Sequence, residues 1–198
     1  HTEDNLSSNL FEYNNTIYKK SDLKLFLNKE EKLKFPMKKI FISYSHTDSN
    51  AMKELSKFLK GLERNGQIDK WTDLKLESGM EIKKDILSKL EDADIVILLI
   101  SQNFIASDFI YDNELPLAMK KKLKGSGAII PVLLSDCTIS DLELGIEDES
   151  DNSIVKIKMG DYYFTPQNEN NSLKPIKEWE HKERAWKKVY EEVKKKLY

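Results

Sequence analysis

One run of six apolar residues sets the fold class of this chain. The run, Ile95–Ile100, reads IVILLI, follows Asp94 and is too short for a typical helix. A strand with one face in water alternates apolar and polar residues, whereas a strand covered on both faces does not. We therefore expect this run to be an inner strand of a parallel sheet.

Helical patterns and further short apolar runs alternate on both sides of that strand. Apolar residues recur at helical spacing in 52–62, 82–90, 109–123 and 186–197, and other strands are expected at 40–42, 67–71, 128–134 and 154–157. Alternating strands and helices form a parallel sheet with right-handed crossovers. The prediction is a flavodoxin-like doubly wound five-stranded parallel sheet with helices on both faces.

The first part of the chain has a different composition. Residues 1–36 are rich in Asn, Ser, Lys and Glu, and we expect an N-terminal arm or linker there. Ser21 or Asp22 could cap a short helix that ends before Pro36. The folded domain is then expected to be 37–198. Because the first residue is His1, we expect the chain to be a piece of a longer protein.

Charge, cysteine content and hydropathy narrow the possible partners and the cellular compartment. Charged residues make up 33% of the 198 residues, and the net charge is only -2, which argues against a nucleic-acid partner. The lone cysteine, Cys137, excludes an intrachain disulfide and fits a reducing compartment. With no apolar run near the ~20 residues of a membrane span and no signal peptide, we expect a cytoplasmic protein without membrane contact.

Three polar loops follow the expected strands, at 43–49, 72–79 and 101–108. Ligands of doubly wound folds bind at the carboxyl ends of the strands, so these loops should line the site. A phosphoacceptor receiver domain needs an aspartate where this chain has Ser101. Dinucleotide folds and P-loops need glycines that residues 43–48 lack. Without a histidine pair or cysteine cluster, no metal site is expected.

Motifs along most of the chain resemble, in the same order, those of the Toll/interleukin receptor (TIR) domain, and bacterial members most closely. They are IFISYSHTD at 40–48, WTD at 71–73, ADIVILLIS at 93–101, NFIASD at 103–108, NEL at 113–115, IPVLL at 130–134 and KPIKEW at 174–179. No single motif is specific, but their order is. TIR domains include assembly adaptors and enzymes that cleave the nicotinamide–ribose bond of NAD+.

The resemblance implies a catalytic role for Glu114. Enzymatic TIR domains carry a glutamate early in the third helix, and Glu114 has that position. Cleavage of an N-glycosidic bond builds positive charge on the ribose carbon, which a carboxylate stabilises. Nicotinamide is already cationic and can leave without a general acid. NAD+ is then the substrate, and no cofactor is expected. The alternative for Glu114 is a solvated helix residue.

The same resemblance implies a set of substrate-binding residues: Ser43, Tyr44, Ser45, Asp48, Trp71, Asp73, Ser107, Phe109 and Tyr111. Several have a structural alternative. Asp48 and Ser107 could be helix caps, and Trp71 could be packed in the core. Asp73 belongs to a loop that moves and mediates self-association in the family, together with Ser78, which a capping-box pattern also explains.

One position departs from the enzymatic pattern. Enzymatic TIR domains often place a tryptophan one turn before the glutamate, and this chain has Ile110 there. Phe109 or Tyr111 could supply the ring face instead. His46 is a candidate base but more typical of an exposed loop residue, and Cys137 has no basic sequence neighbour to activate it.

The resulting expectation is an NAD+ glycohydrolase that yields nicotinamide and ADP-ribose or a cyclic isomer. In the family such enzymes act as homo-oligomers or filaments, so the expected partners are NAD+ and other TIR domains. Bacterial members serve anti-phage defence. The alternative is a non-catalytic TIR–TIR interaction or adaptor module in signalling. A nucleotide-binding sensor without turnover is a third possibility.

Overall fold

The computed structural model describes residues 10–13, 16–19, 36–71, 82–147 and 153–198. The chain divides into two compact units, His1–Met37 and Lys38–Tyr198. In the first unit, β1 (Leu10–Tyr13) pairs antiparallel with β2 (Thr16–Lys19), a hairpin that the sequence analysis did not expect. The helix predicted from Ser21 or Asp22 lies outside the described residues.

The second unit alternates strands and helices. Its strands are β3 (Lys38–Tyr44), β4 (Ile68–Trp71), β5 (Ile95–Ile100), β6 (Ala128–Leu133), β7 (Glu143–Glu147) and β8 (Ile154–Lys158). Its α-helices are α1 (Ser49–Arg64), α2 (Ile82–Asp92), α3 (Gln102–Ile105), α4 (Leu115–Leu123) and α5 (Lys182–Lys195). A π-helical turn, Ile110–Glu114, leads directly into α4.

The central sheet is parallel, with the strand order β4-β3-β5-β6. Every side chain of β5 is buried, as the unbroken apolar run predicts. Parallel pairing of β3 with β5 brings Ser43 beside Leu98 and Tyr44 beside Leu99. The carboxyl ends of these two strands therefore meet at one edge of the sheet, where ligands of such folds bind.

The described part of the central sheet has four strands rather than the five predicted. The candidate fifth strand is β8, which pairs antiparallel with β7 in a separate hairpin. Buried and exposed residues alternate along β7, so this strand packs one face on the core and leaves the other in water. That arrangement suits an antiparallel hairpin better than a place inside a parallel sheet.

Thr165 lies next to the edge strand β6 through a single bridge to Val132. The Leu133 N–H donates to the Thr165 carbonyl at 2.9 Å, and the Thr165 N–H donates to the Pro131 carbonyl at 3.0 Å. Pro131 cannot donate a backbone hydrogen bond, and a proline within a sheet is therefore confined to edge strands and bulges. β6 lies at one edge of the described sheet, in agreement with this rule.

Both faces of the sheet are covered. Ile40, Ile42 and Tyr44 of β3 belong to one core cluster with buried residues of α1 and α5. Phe41 belongs to a second cluster on the other face, which includes buried residues of α2, α4 and the β7–β8 hairpin. Successive side chains of a strand point to opposite faces, so Ser43 shares the face of Phe41. The predicted doubly wound architecture is confirmed.

Glycine ends two of the helices. Gly66 and Gly125 each have a φ of 66°, a left-handed conformation that other residues rarely adopt. After α1, the Gly66 N–H donates to Glu63 O and the Gln67 N–H donates to Leu62 O. This pair of bonds is a Schellman motif, which satisfies the last carbonyl groups of the helix.

Helix α5 buries Trp186, Val189 and Val193, as its apolar stripe predicts. Trp179, just before this helix, is only partly buried. Its ring lies within 6.0 Å of the Lys188 ammonium, and its Nε1–H donates to the Lys174 carbonyl at 2.9 Å. None of the helices among the described residues has the length and apolar character that crossing a bilayer demands.

Candidate functional site

Glu114 is buried at the carboxyl-end edge of the sheet. The side-chain hydroxyl of Ser43, at the end of β3, donates a hydrogen bond to Glu114 Oε2 at 2.5 Å. The two residues are 71 positions apart in the sequence, and Glu114 is only 6% exposed. The bond holds the carboxylate against the end of β3. This is the edge of the sheet, outside the carboxyl ends of the strands, at which doubly wound folds bind ligands.

A local change of helix geometry places this carboxylate. The Leu115 N–H donates to the Ile110 carbonyl, an i to i−5 bond that defines the π-helical turn. Pro116 follows and has no N–H with which to make the normal α-helical bond to Asp112. Single π-helical turns inside helices occur frequently at functional sites.

A second buried carboxylate lies at the same edge of the sheet. Asp48 is 7% exposed and accepts a hydrogen bond of 2.5 Å from the Ser101 hydroxyl, just beyond β5. Asp48 occupies the N-cap position of α1, as the structural alternative supposed, but its side chain makes no capping bond there. The Ser101 oxygen in turn accepts from the Phe104 N–H and so caps α3.

The site thus contains two serine–carboxylate pairs, each of which joins two separate segments of the chain. One pair links β3 to the π-helical turn, and the other links the loop after β3 to the loop after β5. Ser43, Asp48 and Glu114 were predicted as site residues from the sequence, whereas Ser101 was not. A small hydroxyl residue directly after a fully apolar strand is the signal that could have identified it.

Two of the predicted aromatic contacts, Trp71 and Phe109, pack against the cluster that covers the Phe41 face of the sheet. Trp71 stacks on Phe41, with ring centroids 5.2 Å apart and planes 15° apart. Trp71 is partly buried against the core, in agreement with the alternative that its role is packing. The Lys83 ammonium lies 5.6 Å from the centroid of the Phe109 ring. Tyr111 is 40% exposed.

Ile110 is buried in the core, with 3% of its surface exposed. It packs with residues of α2 and α4. The position at which enzymatic relatives often place tryptophan is therefore a packing position in this chain. Phe109 and Tyr111, on either side of it, are more accessible and remain the predicted sources of a ring face.

The remaining predicted contacts are more dispersed. Tyr44 is 4% exposed and packs on the opposite face of the sheet from Ser43, with its ring 6.2 Å from that of His46. Ser45 precedes the 3-10 turn His46–Asp48, and its carbonyl accepts from the Asp48 N–H at 2.7 Å. Substrate contact by Tyr44 or Ser45 stays a prediction.

Ser107 and Asp73 also stay predictions. The Ser107 carbonyl accepts from the Tyr111 N–H at 2.9 Å and so begins the helical segment that carries Glu114. Asp73 and Ser78 lie outside the described residues. His46 is exposed. Within the described segments, no group of three His, Cys, Asp or Glu side chains is arranged to hold a metal ion.

Cys137 lies at the margin of the core beyond β6. Burial raises the pKa of its thiol, and the neighbouring Asp136 carboxylate acts in the same direction. The hydrogen bond with the Ile139 backbone opposes this effect. A raised pKa lowers the thiolate fraction, which is the reverse of what a nucleophilic cysteine requires.

Comparison with known proteins identifies the family. The model of the TIR domain family matches residues 40–169. A relative from Sinorhizobium fredii (strain NBRC 101917 / NGR234), the uncharacterized protein y4lF, is 39% identical over 101 residues. That match covers 51% of this chain and 31% of the relative, so the chain spans about a third of the relative's length.

Two solved structures show weaker similarity. The TIR domains of the activated Roq1 resistosome, which recognises the pathogen effector XopQ, match with a TM-score of 0.40 and 20% identity, over 52% of this chain and 60% of that one. The RPS4 and RRS1 TIR domain heterodimer matches with a TM-score of 0.47 and 13% identity, over 80% and 96% respectively. The family match spans well over half of the 198 residues, and the chain therefore belongs to the TIR domain family.

Proposed function

We propose that this TIR domain is an NAD+ glycohydrolase. Its substrate is NAD+, its products are nicotinamide and either ADP-ribose or a cyclic ADP-ribose isomer, and Glu114 is the catalytic carboxylate. No cofactor takes part. The observation that carries the proposal is the burial of Glu114 at the carboxyl-end edge of the sheet, with Ser43 bonded to it.

The chemistry requires little more than a well-placed negative charge. When the bond between the ribose carbon and the nicotinamide nitrogen breaks, the electron pair leaves with nicotinamide, which becomes neutral. The ribose carbon acquires oxocarbenium character, and the Glu114 carboxylate stabilises that charge. Water then adds to the carbon and loses a proton, or an adenine nitrogen of the same molecule attacks and closes a ring.

Ser43 positions the carboxylate in this mechanism. Its hydroxyl lies on β3, a strand whose neighbouring residues are buried, so the donor occupies a fixed place. A hydrogen bond from a rigid strand limits the rotamers of Glu114, which lowers the cost of reaching the reactive geometry. The π-helical turn and Pro116 support the same residue from the helix side.

We further propose that activity requires assembly with other TIR domains into a homo-oligomer or filament. The resemblance to bacterial TIR enzymes implies this, and the relative from Sinorhizobium supports a bacterial type. Anti-phage defence in the cytoplasm, through loss of NAD+ or production of a signal nucleotide, is the role consistent with it. The isolated domain is then expected to be weakly active until clustered.

Nicotinamide release tests the proposal. Concentrated protein, alone and clustered on a lipid or bead surface, is incubated with NAD+, and products are separated by chromatography. Glu114→Gln should abolish release, because it removes the negative charge and keeps the side-chain shape. Asp112→Asn is the matched control, since Asp112 lies in the same π-helical turn but is exposed.

Equal release by the wild type and Glu114→Gln would refute the proposal, as would no release from the wild type in any clustered form. Equal losses in Glu114→Gln and Asp112→Asn would also contradict it, because an exposed carboxylate has no place in the mechanism. Circular dichroism of both variants shows whether either has lost the fold.

A non-catalytic interaction module is the second candidate. One observation favours it: the bond between Ser43 and Glu114 also ties β3 to the π-helical turn, a role that needs no substrate. In that case Glu114→Gln lowers stability, while self-association of the folded fraction by light scattering is unchanged and no nicotinamide is released. Saturable NAD+ binding without product would indicate the nucleotide sensor instead.

A further inference from the structure

A groove of about 480 Å³ lies between residues 163–171 and helix α5. None of the four residues of the serine–carboxylate pairs, Ser43, Asp48, Ser101 and Glu114, lines it. One wall is formed by Tyr163, Gln167 and Asn171, and the other by side chains of α5 that include Arg184 and Lys187. Its size is within the range of about 300–1,000 Å³ that small-molecule sites occupy.

The wall opposite α5 has a defined shape. Thr165 is bonded to β6 through its backbone N–H and carbonyl. Asn168 Oδ1 accepts from the backbone N–H groups of Asn170 and Ser172, and Gln167 bridges to Leu173 across the turn. Asn171 completes the turn with a φ of 59°. A turn held in this way presents its amide groups in fixed positions.

The groove carries an excess of positive charge. Four basic side chains, Arg184, Lys187, Lys188 and Lys195, line it against two acidic ones, Glu191 and Glu192. Lys195 Nζ lies 2.7 Å from Glu192 Oε1, so this pair neutralises part of the lining at one end. The formal excess of two positive charges matches a phosphate monoester, which carries about two negative charges at pH 7.

An exposed aromatic ring and amide groups lie beside these charges. Tyr163 is 62% exposed although its ring is largely apolar, and it lines the groove. An exposed ring offers a stacking surface for a nucleobase. The side-chain amides of Gln167 and Asn171 can both donate and accept hydrogen bonds, as the edge of a base or the hydroxyl groups of a ribose require.

We propose that this groove binds a free nucleoside monophosphate, with the phosphate at Arg184 and Lys187 and the base against Tyr163. The site is independent of Glu114 and of the proposed hydrolase activity. A nucleotide bound there joins α5 to the turn beside β6, so the expected physical effect is stabilisation of the C-terminal part of the domain.

Calorimetric titration with AMP tests the proposal. Saturable 1:1 binding is expected, weakened at least about tenfold in the double variant Arg184→Gln/Lys187→Gln, because charge-assisted hydrogen bonds to the phosphate are lost. Lys182→Gln/Lys194→Gln is the matched control: it removes the same charge from α5 at positions outside the groove and should bind AMP normally. Tyr163→Ala should weaken AMP binding and leave the weaker binding of inorganic phosphate unchanged.

Several outcomes would overturn the inference. One is the absence of saturable AMP binding, and another is an equal loss of AMP affinity in both double variants. The inference also fails if inorganic phosphate binds as tightly as AMP, or if a single-stranded oligonucleotide binds more tightly than AMP. Amide resonances of residues 163–171 should shift on AMP addition; shifts confined to 43–48 and 110–114 would place the nucleotide at the Glu114 site instead. Nicotinamide release at saturating NAD+ should be unchanged in Arg184→Gln/Lys187→Gln, so the two proposals fail separately.

Discussion

Ser101 and Asp48 lie 53 positions apart in the sequence, yet the serine hydroxyl donates to the buried aspartate over 2.5 Å. The same serine oxygen accepts from the Phe104 N–H at the start of α3. One hydroxyl group therefore joins the loop after β3, the end of β5 and the first turn of the next helix. These hydrogen bonds fix the positions of the three segments at the carboxyl-end edge of the sheet.

Replacing Ser101 by alanine should destabilise the protein by about 1–3 kcal/mol, because Asp48 loses its donor while still buried. Loss of the helix cap acts in the same direction. Urea unfolding measures the change. The control is Ser88→Ala, an exposed serine on α2 that should change stability by less than about 0.5 kcal/mol. Similar results for the two variants would contradict the structural role of Ser101.

Replacing Ser43 by alanine tests whether the hydroxyl positions Glu114. Under the proposed mechanism kcat for nicotinamide release should fall about tenfold, equivalent to about 1.4 kcal/mol, with little change in KM. Steady-state assays of clustered protein give both constants. Ser56→Ala, on the other face of the sheet in α1, should leave them unchanged. If Ser43→Ala has the same kcat as the wild type, the Ser43 hydroxyl does not position Glu114.

Gly160 and Gly61 should respond to alanine in opposite directions. A Cβ at Gly160 would lie 2.8 Å from the Ser140 carbonyl oxygen, so Gly160→Ala should cost about 1–3 kcal/mol of stability. A Cβ at Gly61, inside α1, meets nothing within 4 Å. Gly61→Ala should therefore stabilise the protein by about 0.5–1 kcal/mol, through better helix propensity. Thermal unfolding compares them, and a shift of the same sign for both would refute the close approach at Gly160.

Cys137 should react slowly with iodoacetamide. Because burial raises the pKa of its thiol, the reactive thiolate forms only at higher pH in the folded protein than in the unfolded chain. Alkylation rates are measured by mass spectrometry from pH 7 to pH 10. The rate should rise at a higher pH for the native protein than for the protein in urea. A native rate equal to or above the urea rate at pH 8 would contradict the raised pKa.

The architecture could be predicted because each inner strand carries its own signal. The run Ile95–Ile100 has no polar residue, and its burial on both faces follows from that alone. The error concerned Ile154–Lys158, whose antiparallel partner β7 lies in an acidic stretch where no strand was expected. Strand pairing depends on a partner elsewhere in the chain, which a local pattern does not specify.

The candidate site was less predictable. Glu114 and Ser43 could be named from their motifs, but the bond between them depends on the register of β3 and on the π-helical turn. Ser101 was missed for the same reason, since its partner is set by the packing of two loops. Hydrogen bonds across 53 or 71 positions are determined by tertiary structure rather than by local sequence.

The bridge between Thr165 and Val132 bears on how copies of this domain can associate. An open strand edge invites another chain to add a strand, a common route to aggregation. At β6 the Leu133 N–H and the Pro131 carbonyl are already engaged by Thr165, and Pro131 has no N–H to offer. A strand of another chain therefore cannot pair with residues 131–133 of β6 while Thr165 occupies these backbone groups.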